Sequence, residues 1–164
     1  NKIGDITINL FHNNRIGTII KHIPGHGLAK KDSHLKLPDI NNKLNYLKKN
    51  DFSTFKDKKS IFAMTAHIVF KALDKNDCIT HSKNGIKYIR NNICFKNLII
   101  SDDISMKALQ YTFNQNVKKA YAAGCNLVLH CNGNFKEMNK LAAIAPKIDR
   151  FIIEKTSEFY KLLS

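Results

Sequence analysis

Two short stretches hold most of the side chains able to do chemistry. The first, KHIPGHGLAKKDSH from Lys21 to His34, gathers lysines, three histidines and an aspartate around Pro24, Gly25 and Gly27. Those three residues enforce a tight, non-helical path and let backbone come close to a ligand. The second, LIISDDISM from Leu98 to Met106, places Asp102 and Asp103 where an apolar run turns polar. A carboxylate in the second stretch and an imidazole in the first supply a nucleophile and an acid/base. His22 and His26 stand four apart, but Pro24 and Gly25 between them forbid the helix on which that spacing chelates a metal, so no metal site is expected.

Four apolar, β-branched segments read as the strands that hold these clusters: Gly17 to His22, Ser60 to Ala66, Asn97 to Asp102 and Asn126 to Cys131. Each is preceded by apolar residues at helical spacing, such as Leu44 and Leu47, Ile86 and Ile89, or Val117 and Ala120. Helix and strand in alternation predict βαβ units and a parallel sheet, an α/β fold either open or curved into a barrel. Polar residues follow every strand: Lys21 and His22, Thr65 to His67, Ser101 to Asp103, and His130 to Asn132. In parallel α/β proteins such strand ends converge on one face and build the site. No linker divides the chain, so one domain, or one piece of one, is expected.

Composition removes several classes. The chain has 164 residues, 43% hydrophobic and 24% charged, enough for one core, and no apolar run of the roughly 20 residues that span a membrane. Net charge is +14, yet the lysines are scattered and only Arg15, Arg90 and Arg150 are arginines. With no nucleic-acid-binding motif beside them, specific nucleic-acid binding is not expected. Cys78, Cys94, Cys125 and Cys131 show no paired spacing, which favours reduced thiols and a cytoplasmic setting. The opening NKIGDITINLF lacks the pattern of a secretory signal, and a start within a longer gene is expected.

The series KHIPGHG, DSH, MTAH, SDDISM and AGCNLVLHCNG resembles, in order and over almost the whole length, the β-N-acetylglucosaminidases of glycoside hydrolase family 3, bacterial enzymes of peptidoglycan recycling. The resemblance implies that Asp102 is the nucleophile that forms a covalent glycosyl-enzyme. It makes His34 the general acid/base, Asp32 its partner, and Lys21 and His22 the pair that binds sugar hydroxyls. His67 is a possible substrate contact or a satisfied internal histidine; Asp103 is expected as support or helix cap. His26 reads more as loop glue than as chemistry.

The implied substrate is a muropeptide carrying terminal β-linked N-acetylglucosamine on 1,6-anhydro-N-acetylmuramic acid, with no cofactor and a monomeric parent enzyme. The implied fold is a TIM-type (β/α)8 barrel. Four strands make residues 1–164 the C-terminal half of such a catalytic domain, a piece expected to be inactive alone. Asn126 stands where the family generally has aspartate. The competing readings are another family 3 glycosidase such as a β-glucosidase, and a non-catalytic basic half barrel that binds polyanions.

Overall fold

The computed structural model describes residues 2–30 and 36–164. Four strands, β1 (Ile19–Ile23), β3 (Phe62–Thr65), β5 (Leu98–Asp103) and β6 (Leu127–Leu129), form one sheet in the order β1-β3-β5-β6. Every pairing is parallel, with Ile20 opposite Ala63, Ala63 opposite Ile99, and Ile100 opposite Leu127. All four anticipated strands are present, with ends shifted by one or two residues. A second, minimal sheet pairs β2 (Asp39–Ile40) with β4 (Val69–Phe70), which the sequence pattern did not reveal.

Helices α1 (Lys2–Asn13), α2 (Leu44–Asn50), α3 (Lys83–Asn91) and α4 (Phe113–Ala123) precede the four main strands in turn, as the apolar spacing predicts. Helix boundaries follow local chemistry. The Ser82 hydroxyl accepts from the Gly85 N–H at the start of α3. Helix α4 ends at Gly124, whose φ of +114° is open to glycine and turns the chain directly into β6. The arrangement is four sequential βα units of a TIM-type barrel, an α/β fold in which consecutive strands are sheet neighbours.

The core lies between the sheet and helices α2 to α4, where Leu47, Ile89, Val117, Ile99 and Ala63 are fully buried. Phe52 packs edge-on against Phe70 at 5.0 Å and, tilted, against Tyr88 at 5.4 Å, closing one end of this core. Two further helices, α5 (Phe135–Ile144) and α6 (Arg150–Leu163), follow β6. Phe159 of α6 packs beside Phe62 at 5.1 Å and against Gly17, where an added Cβ would collide with its ring, so α6 lies across the starts of β1 and β3.

The two ends of the sheet are finished differently from its middle. Helix α1 buries only Ile8 and leaves Ile3, Ile6 and Leu10 in solvent; α5 buries none of its residues, and Phe135 is 71% exposed. A groove of about 490 Å³ runs between α1 and the outer edge of β1, floored by Thr18, Ile19 and Ile20. No described helix is long and apolar enough to cross a membrane.

Candidate functional site

The C-terminal ends of β1 and β5 bring the two chemical clusters together. His22 near the end of β1 and Asp102 in β5 meet with Nε2 3.5 Å from Oδ2. They do so across the end of the intervening β3, since β1 and β5 are not sheet neighbours. Both side chains remain partly open, 26% and 18% exposed, as a group that must meet a ligand requires. The other Asp102 oxygen, Oδ1, accepts from the Asp103 N–H at 2.8 Å, so the carboxylate has a fixed orientation.

Asp103 does a different task. Its Oδ1 accepts from the Ser105 N–H at 3.0 Å and the Cys131 N–H at 3.2 Å, and the Ser105 hydroxyl lies 2.7 Å from the same oxygen. Where the β5–β6 ladder shifts register, the Leu129 N–H donates to the Ser101 hydroxyl at 3.0 Å and the Ile104 N–H to the Leu129 carbonyl. These bonds staple the end of β5 to β6, so the backbone carrying Asp102 cannot swing.

Beneath the pair runs a buried polar chain. The His67 Nδ1 is 2.7 Å from the Thr80 hydroxyl, which is 2.7 Å from that of Thr65, and the His67 Nε2 is 3.1 Å from the Asp103 carbonyl. His67 is 1% exposed with both ring nitrogens engaged inside the protein, the arrangement of a satisfied internal histidine that supports β5 rather than of a group open to a ligand. Burial disfavours its protonated form and pushes its pKa down, with the Asp102 and Asp103 carboxylates opposing that fall.

His22 is likewise pushed below the ordinary histidine value. Burial is the main cause, partly opposed by Asp102 and reinforced by His26, Lys21 and His67. At neutral pH the ring is therefore neutral beside the carboxylate, with one N–H to donate. The His26 ring lies 5.2 Å from that of His22, which places the loop histidine at the site. Lys21 is exposed at the edge of β1, lining the groove beside α1, with its charge felt at His22. Asp32 and His34 lie outside the described residues.

One participant escaped the sequence reading. Asp51, directly after α2, packs against the loop after β1, its carboxylate filling the space a side chain on Gly25 would need, 2.4 Å from the ideal Cβ. The available signal was an acid at a helix C-terminus, the end whose dipole disfavours negative charge.

Two further histidines have partners within the fold. His12 Nε2 meets the Thr18 hydroxyl at 2.9 Å, and His130 pairs with Glu137 at 2.9 Å. Met64 belongs to the core. No group of three metal-ligating side chains comes together among the described residues.

The family described as "Glycosyl hydrolase family 3 N terminal domain" matches residues 1–156. Among curated relatives, a protein named Beta-hexosaminidase from Photobacterium profundum is 30% identical over 158 residues, 90% of this chain and 47% of its own length. Another Beta-hexosaminidase, from Nitrosomonas eutropha, is 32% identical over 117 residues, 68% of this chain and 34% of its own. The chain thus spans between a third and a half of these relatives. Among solved structures, that of NagZ from Neisseria gonorrhoeae in complex with N-trifluoroacetyl-D-glucosamine superposes with a TM-score of 0.75 at 26% identity, covering 87% of this chain and 43% of that one.

Proposed function

The chain belongs to glycosyl hydrolase family 3, and from that membership we propose that it carries the nucleophile-bearing half of a retaining β-N-acetylglucosaminidase. The observation that carries this reading is the Asp102 carboxylate, oriented by its neighbour's N–H and facing a neutral His22 at the mouth of a parallel sheet. Asp102 attacks the anomeric carbon while His34, oriented by Asp32, gives its proton to the departing sugar oxygen; the glycosidic C–O bond breaks and an ester to Asp102 forms. His34 then takes a proton from water, which attacks the same carbon and releases the sugar with its configuration retained. Lys21 and His22 hold the ring hydroxyls over Asp102.

The names of the relatives, and the N-acylated glucosamine in the Neisseria structure, support N-acetylglucosamine as the sugar. The fuller reading takes the substrate as a muropeptide with an anhydromuramoyl aglycone, and the setting as the cytoplasm. Four free thiols, with Cys78 and Cys125 buried and pushed up to about 12, agree with that setting.

Residues 1–164 then act as one half of a catalytic domain. The outer edges of β1 and β6 pair with a second set of four βα units, and the exposed apolar residues of α1 and α5 pack against its helices.

The decisive experiment treats the polypeptide translated from the reading frame of this chain with a 5-fluoro derivative of β-N-acetylglucosamine that stalls the second step, followed by peptide mass spectrometry. One sugar mass on Asp102 is expected. A label on another residue, or inversion of the anomeric centre seen by NMR during turnover, overturns the assignment.

A further inference from the structure

Strand β5 outruns one of its neighbours at the point where it carries Asp102. The β3–β5 register runs from Phe62 opposite Leu98 to Met64 opposite Ile100 and goes no further, while the β5–β6 ladder shifts between Ile100 and Asp103. On the β6 side a backbone bond holds beyond the shift, the Ile104 N–H donating to the Leu129 carbonyl at 2.9 Å. On the β3 side a side chain stands in for the missing strand: His67, two residues past the end of β3, sets its Nε2 3.1 Å from the Asp103 carbonyl. That carbonyl also accepts from the Met106 N–H of the following turn at 3.2 Å. The peptide unit joining Asp103 to Ile104 is thus gripped through its oxygen by His67 and through its nitrogen by β6.

The order of protons in this grip follows from the partners. Burial keeps the ring neutral, and a carbonyl can only accept, so the one ring proton is on Nε2. Nδ1 is then bare and accepts from the Thr80 hydroxyl at 2.7 Å, and the Thr80 oxygen accepts from the Thr65 hydroxyl, also at 2.7 Å. The Ala66 carbonyl, 3.5 Å from Thr80 Oγ1, is the weaker acceptor. His67, Thr65 and Thr80 are all buried, so bulk water reaches no member of the chain. Burying three polar groups costs free energy that an apolar filling avoids, and the result is a single N–H of fixed direction at the end of β5.

We infer that His67 is a positioning residue for the nucleophile: its Nε2–H, fixed in tautomer by Thr80 and Thr65, holds the Asp103 peptide where β3 no longer does, and through the Asp103 N–H it sets the aim of the Asp102 carboxylate. This rests on the assignment of Asp102 as nucleophile made above.

The step to follow is formation of the ester on Asp102. A misaimed carboxylate attacks slowly however well the sugar binds, whereas a merely destabilised fold lowers the number of working sites and leaves each at full rate. The test measures inactivation by the 5-fluoro derivative of β-N-acetylglucosamine in the polypeptide translated from the whole reading frame, and separates Ki, the limiting rate kinact and the fraction of chains labelled. Two variants are compared. The amide nitrogen of His67→Gln falls near the place of Nε2 and can still donate to the carbonyl; that of His67→Asn falls near Nδ1 and cannot. In His67→Asn, kinact is expected to fall about 10- to 100-fold with Ki changed by less than about 3-fold, and in His67→Gln kinact is expected to stay within about 3-fold of the unsubstituted protein.

An unchanged kinact in His67→Asn, or equal losses in the two variants, overturns the inference, as does a change confined to Ki or to the fraction labelled. If His67→Asn does not fold, Thr80→Val reports in its place: a fall in kinact of about 3-fold or more that Thr80→Ser restores supports the grip, and an unchanged kinact overturns it. Peptide mapping of the label in the unsubstituted protein separates the two levels. With the label on Asp102 and no effect of His67, only the positioning role falls; with the label elsewhere or on no residue, the nucleophile assignment falls and takes this inference with it.

Discussion

His22 Nε2 stands 3.5 Å from Asp102 Oδ2, and burial keeps the histidine neutral there. The contact is therefore that of a neutral imidazole beside a carboxylate rather than a fixed ion pair. A protonated His22 would draw on the carboxylate's charge and weaken it.

His22→Ala is expected to lower kcat/KM by about 10- to 100-fold without unfolding the protein, since it removes one contact to the carboxylate and, on the proposed reading, one to the sugar. Steady-state kinetics with a melting curve check this. An unchanged kcat/KM would remove His22 from the site.

Asp103→Ala should act on stability first. Its carboxylate receives the Ser105 and Cys131 N–H groups and the Ser105 hydroxyl, and losing these costs about 1–3 kcal/mol, a fall in Tm of about 2–10 °C. Asp102→Ala should leave Tm nearly unchanged and abolish turnover. Kinetics and calorimetry on the two variants distinguish neighbours that sequence alone leaves interchangeable, and a reversed outcome would exchange their roles.

Acid should destabilise the fold from about pH 6.5 downward. His81 is 6% exposed, and burial lowers its pKa from 6.5 to about 4. The unfolded chain thus takes up a proton that the folded one refuses. The cost is absent above pH 6.5, grows as pH falls, and reaches about 3 kcal/mol near pH 4. His22 and His67, also lowered, add with the same sign. His81→Gln should flatten the limb in urea titrations at several pH values; an unaltered slope would show that His81 titrates normally.

The two free sheet edges should make the isolated 164-residue chain self-associate. Ile19 is exposed on the outer edge of β1, and Ile6 and Leu10 are exposed together on one face of α1. Sedimentation velocity should show concentration-dependent growth that the double substitution Ile6→Lys with Leu10→Lys reduces. A monomer at every concentration, with no loss on substitution, would mean that these edges do not attract a partner.

The strands were legible because buried parallel strands are short apolar runs ending in polar residues: Asn97 to Asp102 was expected, and Leu98–Asp103 is found. The two clusters were legible because glycine, proline, histidine and aspartate rarely crowd together without a purpose. Three features were not. The β2–β4 pair is only two residues long on each side, too short to leave a period. The path of α6 beneath β1 and β3 depends on Phe159 finding the gap at Gly17, a match between distant positions. Asp51 sits in a lysine-rich run, LKKNDFSTFKDKK, where an acid reads as a solvated charge; its close approach to the backbone of Gly25 leaves no mark in a sequence. His67 lies between these cases, since its place after a strand was plain but its inward turn to Thr80 is a fact of packing.

Strand β1 has a hydrogen-bonded neighbour on one side only, yet it carries Lys21 and His22. Strands of that kind open first in the local fluctuations that expose amides to solvent exchange. The site therefore depends in part on an edge strand of its sheet, while Asp102 sits on a strand paired on both sides. On the proposed reading, a sugar bridging His22 and Asp102 would close that opening by mass action, and its binding free energy would show as protection of the Ile19 to Ile23 amides. On that reading, one half of the constellation would be held by the sheet and the other completed by the ligand it binds.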